Sequence, residues 1–456
     1  MSSNDLFDND HHLDDDETNV NATTITTYTQ KYHTSSLCKS LNHLHIDILS
    51  EFSHHDPTIA RINNGSFGSC PASVIEAQKR YQLRFLKQPD DFYFNHFTQS
   101  ILRSREAVKT LVNAKHVDEI SIVDNVTTSA AIVLQHVMWS FFDSKFKPGD
   151  TAVMLHYAYP AFKKSVEAYF TRAGGKVIEV KMSYPVSSND EIVTAFKNAL
   201  ELGKSNNRKV RLAVIDHITS MPSVVIPVKE LVKMCRSEKV DCIFVDAANA
   251  LGSVEVDVQD IGADFYTSNL HKWLFCPPAV AFLHCKDPEA SKLHHPVVSH
   301  HYGNGIANES SWIGTRDYSA QLVIPEALEF VDRFEGGIDG LAKWNHEKVV
   351  EMAEMLVKAW GTKLGTPVDM CSSTAMVGLP ACLGIMNDAD AMKLRSILRE
   401  RFKVEVPIYV RQAKDGEVDP VMGYARISHQ IYNTDDNYYR FRDAICSLVS
   451  SGFTCN

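Results

Sequence analysis

Asp246 and Lys272 form the clearest chemical pair in the chain. Asp246 closes an apolar run (Cys242, Ile243, Phe244, Val245). Lys272 follows a second strand-like run, Ala263 to Tyr266, and is reached through Ser268, Asn269 and His271 in what reads as a polar loop. An amine held near a fixed carboxylate is what pyridoxal phosphate requires: the amine carries the cofactor as a Schiff base, and the carboxylate keeps its pyridine nitrogen protonated as an electron sink. The same letters also fit an ordinary surface loop, because Lys and Asp are common in loops.

The elements around this pair repeat one pattern, an apolar strand ending in polar residues and followed by a helix-length segment. EISIVDN ends at Asn125, and a helix then opens with Thr127 and Thr128 at its mouth. Hydroxyls and free amides at a helix N-terminus suit a phosphate, though a plain threonine cap explains the same letters. TAVML (Thr151 to Leu155) ends at His156, followed by Tyr157 and Tyr159; VRLAVI (Val210 to Ile215) ends in Asp216, His217, Thr219 and Ser220; CIFV ends in Asp246 and Asn249. Open parallel α/β sheets bind ligands at the C-terminal ends of their strands, so His156, His217, Ser220, Asp246 and Asn249 become cofactor-site candidates by position. An imidazole at such a tip can stack on an aromatic cofactor and move protons near neutral pH.

Outside the sheet, RINNGSFGSCP (Arg61 to Pro71) is a turn-rich loop whose Asn63, Asn64 and Ser66 offer amides and hydroxyls to a ligand, with Asn64 the substrate-contact candidate; turn geometry alone also accounts for it. It feeds a helix with Val74, Ala77, Tyr81 and Phe85 on one face. WIGTRDYS brings Gly314, Thr315 and Arg316, suited to an anion or to a structural loop. Arg426, in a strand-like GYARIS, is either a solvated residue or a two-pronged clamp for a carboxylate. His294, His295, His300 and His301 invite a metal reading, but adjacent residues of a strand point to opposite faces and no carboxylate follows at ligand spacing, so no metal is expected.

These patterns predict an α/β fold: a large domain with a mainly parallel sheet over residues 41–320, preceded by a disordered acidic tail (1–40). A connecting helix interrupted at Gly336 and Gly337 then leads to a smaller C-terminal α/β domain over 321–456. In that domain ACLGIM, VEVPIYV and GYARISHQIYN read as strands and Asp390 to Phe402 as a helix; LHIDILSEF (residues 44–52) has helical spacing. The chain has 456 residues, 44% of them hydrophobic, enough for two cores, and a net charge of -10 without a sustained basic block. That charge argues against nucleic acid or an anionic membrane as partner and for small molecules. No window approaches the roughly 18 consecutive apolar residues of a membrane span. The ten cysteines are scattered without a CxxC pair, as in a reducing compartment, and the first twenty residues contain no Lys or Arg. A cytoplasmic location is the expectation.

Together RINNGSFG, QPDDFYFN, IDHITSMP, NLHKW, HHPVVSH, WIGTRDYS and ISHQIYN resemble fold-type I pyridoxal phosphate enzymes of the class V aminotransferase group, and within it the branch of plant L-cysteine desulfhydrases. The resemblance runs from about Phe52 to the C-terminus. It implies Lys272 as the Schiff-base lysine, Asp246 as partner of the pyridine nitrogen, His156 as the imidazole stacked on the ring and Arg426 as the substrate carboxylate clamp. It further implies phosphate contacts from Thr127, Thr128 and His271, and Thr315 reaching the phosphate of a neighbouring subunit, hence a homodimer with shared sites. The implied reaction is β-elimination of L-cysteine to hydrogen sulfide, pyruvate and ammonia. Two departures stand out. The related cysteine desulfurases carry a sulfur-accepting cysteine in the loop before the clamp arginine, and here YVRQAKDGEVDPVMGY has none. Where the desulfhydrase branch reads DAAHA and desulfurases have Gln, this chain has Asn249, which has a shorter reach and cannot become cationic. A related enzyme acting on another amino acid by decarboxylation, transamination, epimerisation or Cα coupling is the alternative.

Overall fold

The computed structural model of the protein describes residues 48–411 and 421–455. The acidic tail, most of LHIDILSEF and most of the loop before Arg426 lie outside the described residues.

Short apolar runs bounded by turn residues become strands, in chain order β1 (Ala60–Arg61), β2 (Ile120–Val123), β3 (Thr151–Leu155), β4 (Lys176–Val180), β5 (Val210–Asp216), β6 (Cys242–Asp246), β7 (Phe265–Asn269), β8 (Ala281–Cys285), β9 (Thr374–Gly378), β10 (Val404–Glu405), β11 (Ile408–Val410) and β12 (Gly423–Ser428). Seven form the main sheet in the order β2-β8-β7-β6-β5-β3-β4. Only β8 runs antiparallel to its neighbours, so the other six strands end on one edge. β5 and β6 are buried along their whole length, because helices cover both faces of a parallel sheet. The helices Val126–Phe142 and Asn189–Lys204 pack inward through Ile132, Val133 and Val137 and through Ile192, Phe196 and Leu200.

A second apolar core collects Val349, Met352 and Leu356 from the helix Gly337–Trp360, Leu394 and Leu398 from Asp388–Phe402, and Phe441, Ile445 and Leu448 from Asp435–Ser450, around the sheet β11-β12-β9. Ala60 and Ile62 join it because β1 pairs in parallel with β10.

Local details differ from the expectations. ACLGIM is not a strand: Ala381–Leu383 is a 3-10 turn closed by Gly384 at φ 65°, and the strand is the preceding Thr374–Gly378. VEVPIYV breaks into β10 and β11 around Pro407, which cannot donate to a ladder. β7 starts at Phe265 and runs through Asn269, so Ser268 and Asn269 are strand residues, and Lys272 sits in the one-turn helix Leu270–Trp273 rather than in a loop. The helix after β2 is capped by Asn125, whose side chain accepts from the Thr128 amide, not by a threonine.

Candidate active site

The parallel register puts the strand tips side by side. Asp216 lies opposite Asp246 on β5 and β6, and Asp246 opposite Thr267 on β7. The His217 amide donates to the Asp246 carbonyl at 2.8 Å. His156 follows β3 directly, its amide bound to Val180 at 3.0 Å. Asn269, at the end of β7, accepts from the Val126 amide at 3.2 Å, which fixes the mouth of the Val126–Phe142 helix beside the turn that carries Lys272.

Lys272 Nζ donates to Asn249 Oδ1 at 3.0 Å. Burial, reinforced by the Arg426 cation and opposed by the Asp246 charge, brings its pKa down to about 8. A substantial share of neutral amine near physiological pH follows. Asp246 is 5% exposed, and its Oδ1 accepts from the Ala248 amide at 3.0 Å. Burial raises its pKa, while that amide and Lys272 oppose the rise. Asp216 is 2% exposed, its Oδ2 has no partner, and burial together with Asp246 pushes its pKa well up. Two adjacent buried carboxyls do not both ionise. The rise is the stronger at Asp216, whereas Asp246 has the Ala248 amide and Lys272 to favour its charged form.

Arg426, buried in β12, spreads its guanidinium over neutral oxygens: the Ser220 carbonyl at 2.7 Å and Oγ at 3.1 Å, Asn63 Oδ1 at 3.4 Å and Ser66 Oγ at 2.7 Å. The Tyr409 ring centroid is 5.8 Å away. Among the described residues no carboxylate pairs with it. Ser220, expected as a free strand-tip hydroxyl, is therefore engaged by Arg426. Asn64, the substrate-contact candidate, is fully buried, its Nδ2 donating to the Lys272 carbonyl at 2.9 Å and its Oδ1 accepting from Tyr432 at 2.8 Å.

Of the remaining candidates, His156 is half-buried, its Nδ1 within 3.0 Å of the Val180 carbonyl and 3.2 Å of the Met182 amide, and its ring centroid 3.8 Å from that of Tyr157. Burial lowers its pKa. His217 is buried against the Tyr266 hydroxyl at 2.9 Å, and burial lowers its pKa to about 4. His271 donates from Nδ1 to Val280 at 2.9 Å; burial, with Lys272 next to it, also lowers its pKa to about 4, so the ring is neutral. Thr128 is tied to Asn125, whereas the side chain of the exposed Thr127 makes no hydrogen bond among the described residues. Thr315 is exposed between Gly314, at φ 111°, and Arg316, which pairs with Asp124; no hydrogen bond joins it to the other candidates. A carboxylate from further along the chain does reach the histidines: Glu309 accepts from His294 at 2.7 Å and from the His295 amide at 2.9 Å. Among the described residues no cluster of three metal-ligating side chains occurs. Sequence reasoning missed Ser428, Tyr432 and Tyr409, which line the network around Asn64 and Arg426; their only signal was that ISHQIYN and the preceding strand are rich in polar and aromatic residues.

No helix among the described residues is long and apolar enough to cross a membrane. Comparison with known proteins gives the following. The family profile "Aminotransferase class-V" matches residues 68–438. The chain is 62% identical to "Probable L-cysteine desulfhydrase, chloroplastic" of Arabidopsis thaliana over 90% of its own length and 87% of that protein's. It is 60% identical to "Putative L-cysteine desulfhydrase 1" of Oryza sativa subsp. japonica, with 89% and 86% of the two chains covered. A solved complex of the cystine C-S lyase C-DES with its reaction product cysteine persulfide has the same fold, with TM-score 0.66, 17% identity and 85% of this chain and 97% of that one covered. This agrees with the fold-type I α/β architecture read from the sheet. With a profile match across most of its length and relatives this similar, the chain belongs to the aminotransferase class-V family.

Proposed function

We propose that the protein is a pyridoxal phosphate-dependent C–S lyase that degrades L-cysteine and water to hydrogen sulfide, pyruvate and ammonia by β-elimination. The observation that carries this reading is the Lys272 amine, held on Asn249 Oδ1 at 3.0 Å just past the strand tip that bears Asp246, with the Asn64 side chain fixing its backbone beside the strand of Arg426. The names of the similar proteins support the substrate.

The donor set fits the cofactor. Lys272 is an amine for its aldehyde. Among the described residues Asp246 Oδ2 has no protein donor, which suits a ring N–H. The Thr127 amide and hydroxyl at the helix mouth, with Thr128 and His271, suit its phosphate, and His156 offers a ring face. When bound, the cofactor supplies an electron sink for the electrons left at the substrate Cα. Arg426 orients the substrate by its carboxylate, exchanging some of its neutral partners for an anion. Lys272 Nζ, in the neutral form that its pKa of about 8 makes accessible, takes the proton from Cα, and His156 gives one to the departing sulfur. The desulfurase-type acceptor thiol is missing from residues 409–424, so sulfide leaves rather than being transferred.

The reading also takes residues 41–320 and 321–456 as the cofactor-binding and smaller domains, supported by the apolar core around the sheet β11-β12-β9, which apart from Ala60 and Ile62 is made of residues beyond 348. It takes the active form as a homodimer with Thr315 serving the neighbouring site. The exposed Thr315 and the exposed Phe67, Leu83, Leu86 and Phe94 support this, and solution scattering at monomer mass would overturn it. The compartment is proposed as the cytosol, consistent with free thiols at all nine described cysteines. Plastid accumulation of a fluorescent fusion, as the Arabidopsis relative's name suggests for that protein, would overturn it. The deciding experiment is sulfide release from L-cysteine by the cofactor-loaded protein: Lys272→Ala abolishes it, and release that survives this change sinks the assignment. Asn249, among the described residues the one side-chain partner of the amine, favours one second reading, chemistry on another amino acid. Cysteine lyase activity that emerges only in Asn249→His would establish that reading.

A further inference from the structure

One short stretch, Asn63 to Gly68, touches both the Arg426 cation and the backbone of Lys272. Its entry is stitched to the second core: the Ala60 amide donates to the Lys403 carbonyl at 2.8 Å, the Ile62 amide to Glu405 at 3.2 Å, and the Ser428 amide to Ile62 at 3.0 Å. The next residues reach Arg426, whose Nη2 donates to Ser66 Oγ, while the Ser66 hydroxyl donates to Asn63 Oδ1 at 2.7 Å. The exit lies against the lysine turn. A Cβ at Gly68, which sits at φ +72°, would fall 1.7 Å from the His271 carbonyl oxygen and 2.8 Å from the Lys272 Cα, so the two backbones touch.

Asn64 is the joint between these contacts. Its amide donates to Ser428 Oγ at 2.6 Å, two residues beyond Arg426 on β12. Its side-chain amide donates to the Lys272 carbonyl at 2.9 Å, and its side-chain oxygen accepts from Tyr432 at 2.8 Å, which fixes the orientation of the amide. A one-turn helix cannot satisfy its own last carbonyls, so the Lys272 carbonyl depends on a partner from outside the turn. Asn64 supplies it from a fully buried position, where an unmade bond carries the full desolvation cost.

We infer that Asn64 is a positioning residue: it ties the strand carrying Arg426 to the backbone of Lys272, so that one buried network sets both the carboxylate clamp and the amine. This rests on Lys272 as the cofactor-holding amine and Arg426 as the clamp. Removing the tie frees the lysine turn without touching the clamp, so it slows the step Lys272 performs and spares substrate binding.

The test uses the full chain. Apo-protein is mixed with pyridoxal phosphate, the adduct is trapped with borohydride and located by peptide mass, and kcat and KM for L-cysteine are measured beside the unfolding temperature. Asn64→Ala is expected to slow adduct formation on Lys272 and to lower kcat by about tenfold or more, with KM little changed. Ser66→Ala, which touches Arg426 and not Lys272, is expected to raise KM instead. Tyr432→Phe releases only the orientation of the Asn64 amide and gives a smaller loss of the same kind; it carries the test if Asn64→Ala does not fold. Unchanged adduct rate and kcat in the folded variant, or a KM effect matching that of Ser66→Ala, overturns the inference while leaving the lyase reading intact. A wild-type protein that forms no adduct on Lys272 overturns both.

Discussion

The Lys272 pocket and the 294–318 loop region are similarly rich in residues that can do chemistry, yet they differ in how those residues are paired. In the loop region the charges are matched. Glu309 accepts hydrogen bonds from His294, the His295 amide and the Gly303 amide, and these donors hold its pKa below the usual range although burial acts in the opposite sense. Arg316 lies on Asp124 through both nitrogens. In the pocket Lys272 has one amide oxygen, Arg426 only neutral oxygens, and Asp216 an oxygen with no partner at all. A fold pairs the charges it needs for its own stability; Lys272 and Arg426, which touch no carboxylate among the described residues, mark where a ligand is to complete the pairing.

Substitutions can break or sharpen that contrast. The largest effect belongs to Lys272→Ala, expected to take sulfide release to background and to leave no borohydride-trapped adduct. Arg426→Ala follows: losing a charge-assisted contact to the substrate carboxylate lowers kcat/KM by about tenfold to a hundredfold, and Arg426→Lys restores little because the planar fork is gone. A pH series comes next. With Lys272 titrating at about 8, adduct formation by apo-protein rises by about tenfold per pH unit below that value and levels above it. The sign for stability agrees: between about 8 and the ordinary 10.5 the unfolded chain holds a proton that the folded amine has released, so unfolding free energy rises with pH there. Unfolding of Lys272→Met should lack that rise, and a rise that persists in the variant removes the case for a depressed amine.

The loop region should respond in stability rather than chemistry. Glu309→Gln is expected to cost about 1–3 kcal/mol in unfolding free energy, with the adduct rate on Lys272 unchanged. The smallest expected effect is at Asp216. If it keeps its proton, Asp216→Asn preserves its charge and leaves the pH profile of adduct formation in place; a shifted profile would mean that both acids of the pair carry charge.

Much of the fold and part of the site could be read in advance. The runs at Thr151–Leu155 and Cys242–Asp246 became strands with those bounds, because a strand buried on both faces is written as an uninterrupted apolar segment. ACLGIM misled because a short apolar run does not distinguish strand from turn, and Gly384 closes it in the left-handed region. Asn64 was only half legible: its loop and its polarity were visible, but its partners Lys272, Ser428 and Tyr432 are 208, 364 and 368 positions away in the chain.

By itself the sequence determined the alternation of strands and helices, the polar strand tips and hence the edge where a ligand binds, since these follow from local hydrophobic pattern and from the direction of a parallel sheet. Only the tertiary structure decided which polar groups are spent on one another and which are left over. Pairing depends on distances between segments remote in sequence, and burial, which sets the charge state of Lys272, Asp246 and Asp216, belongs to the packed whole rather than to any stretch of the chain.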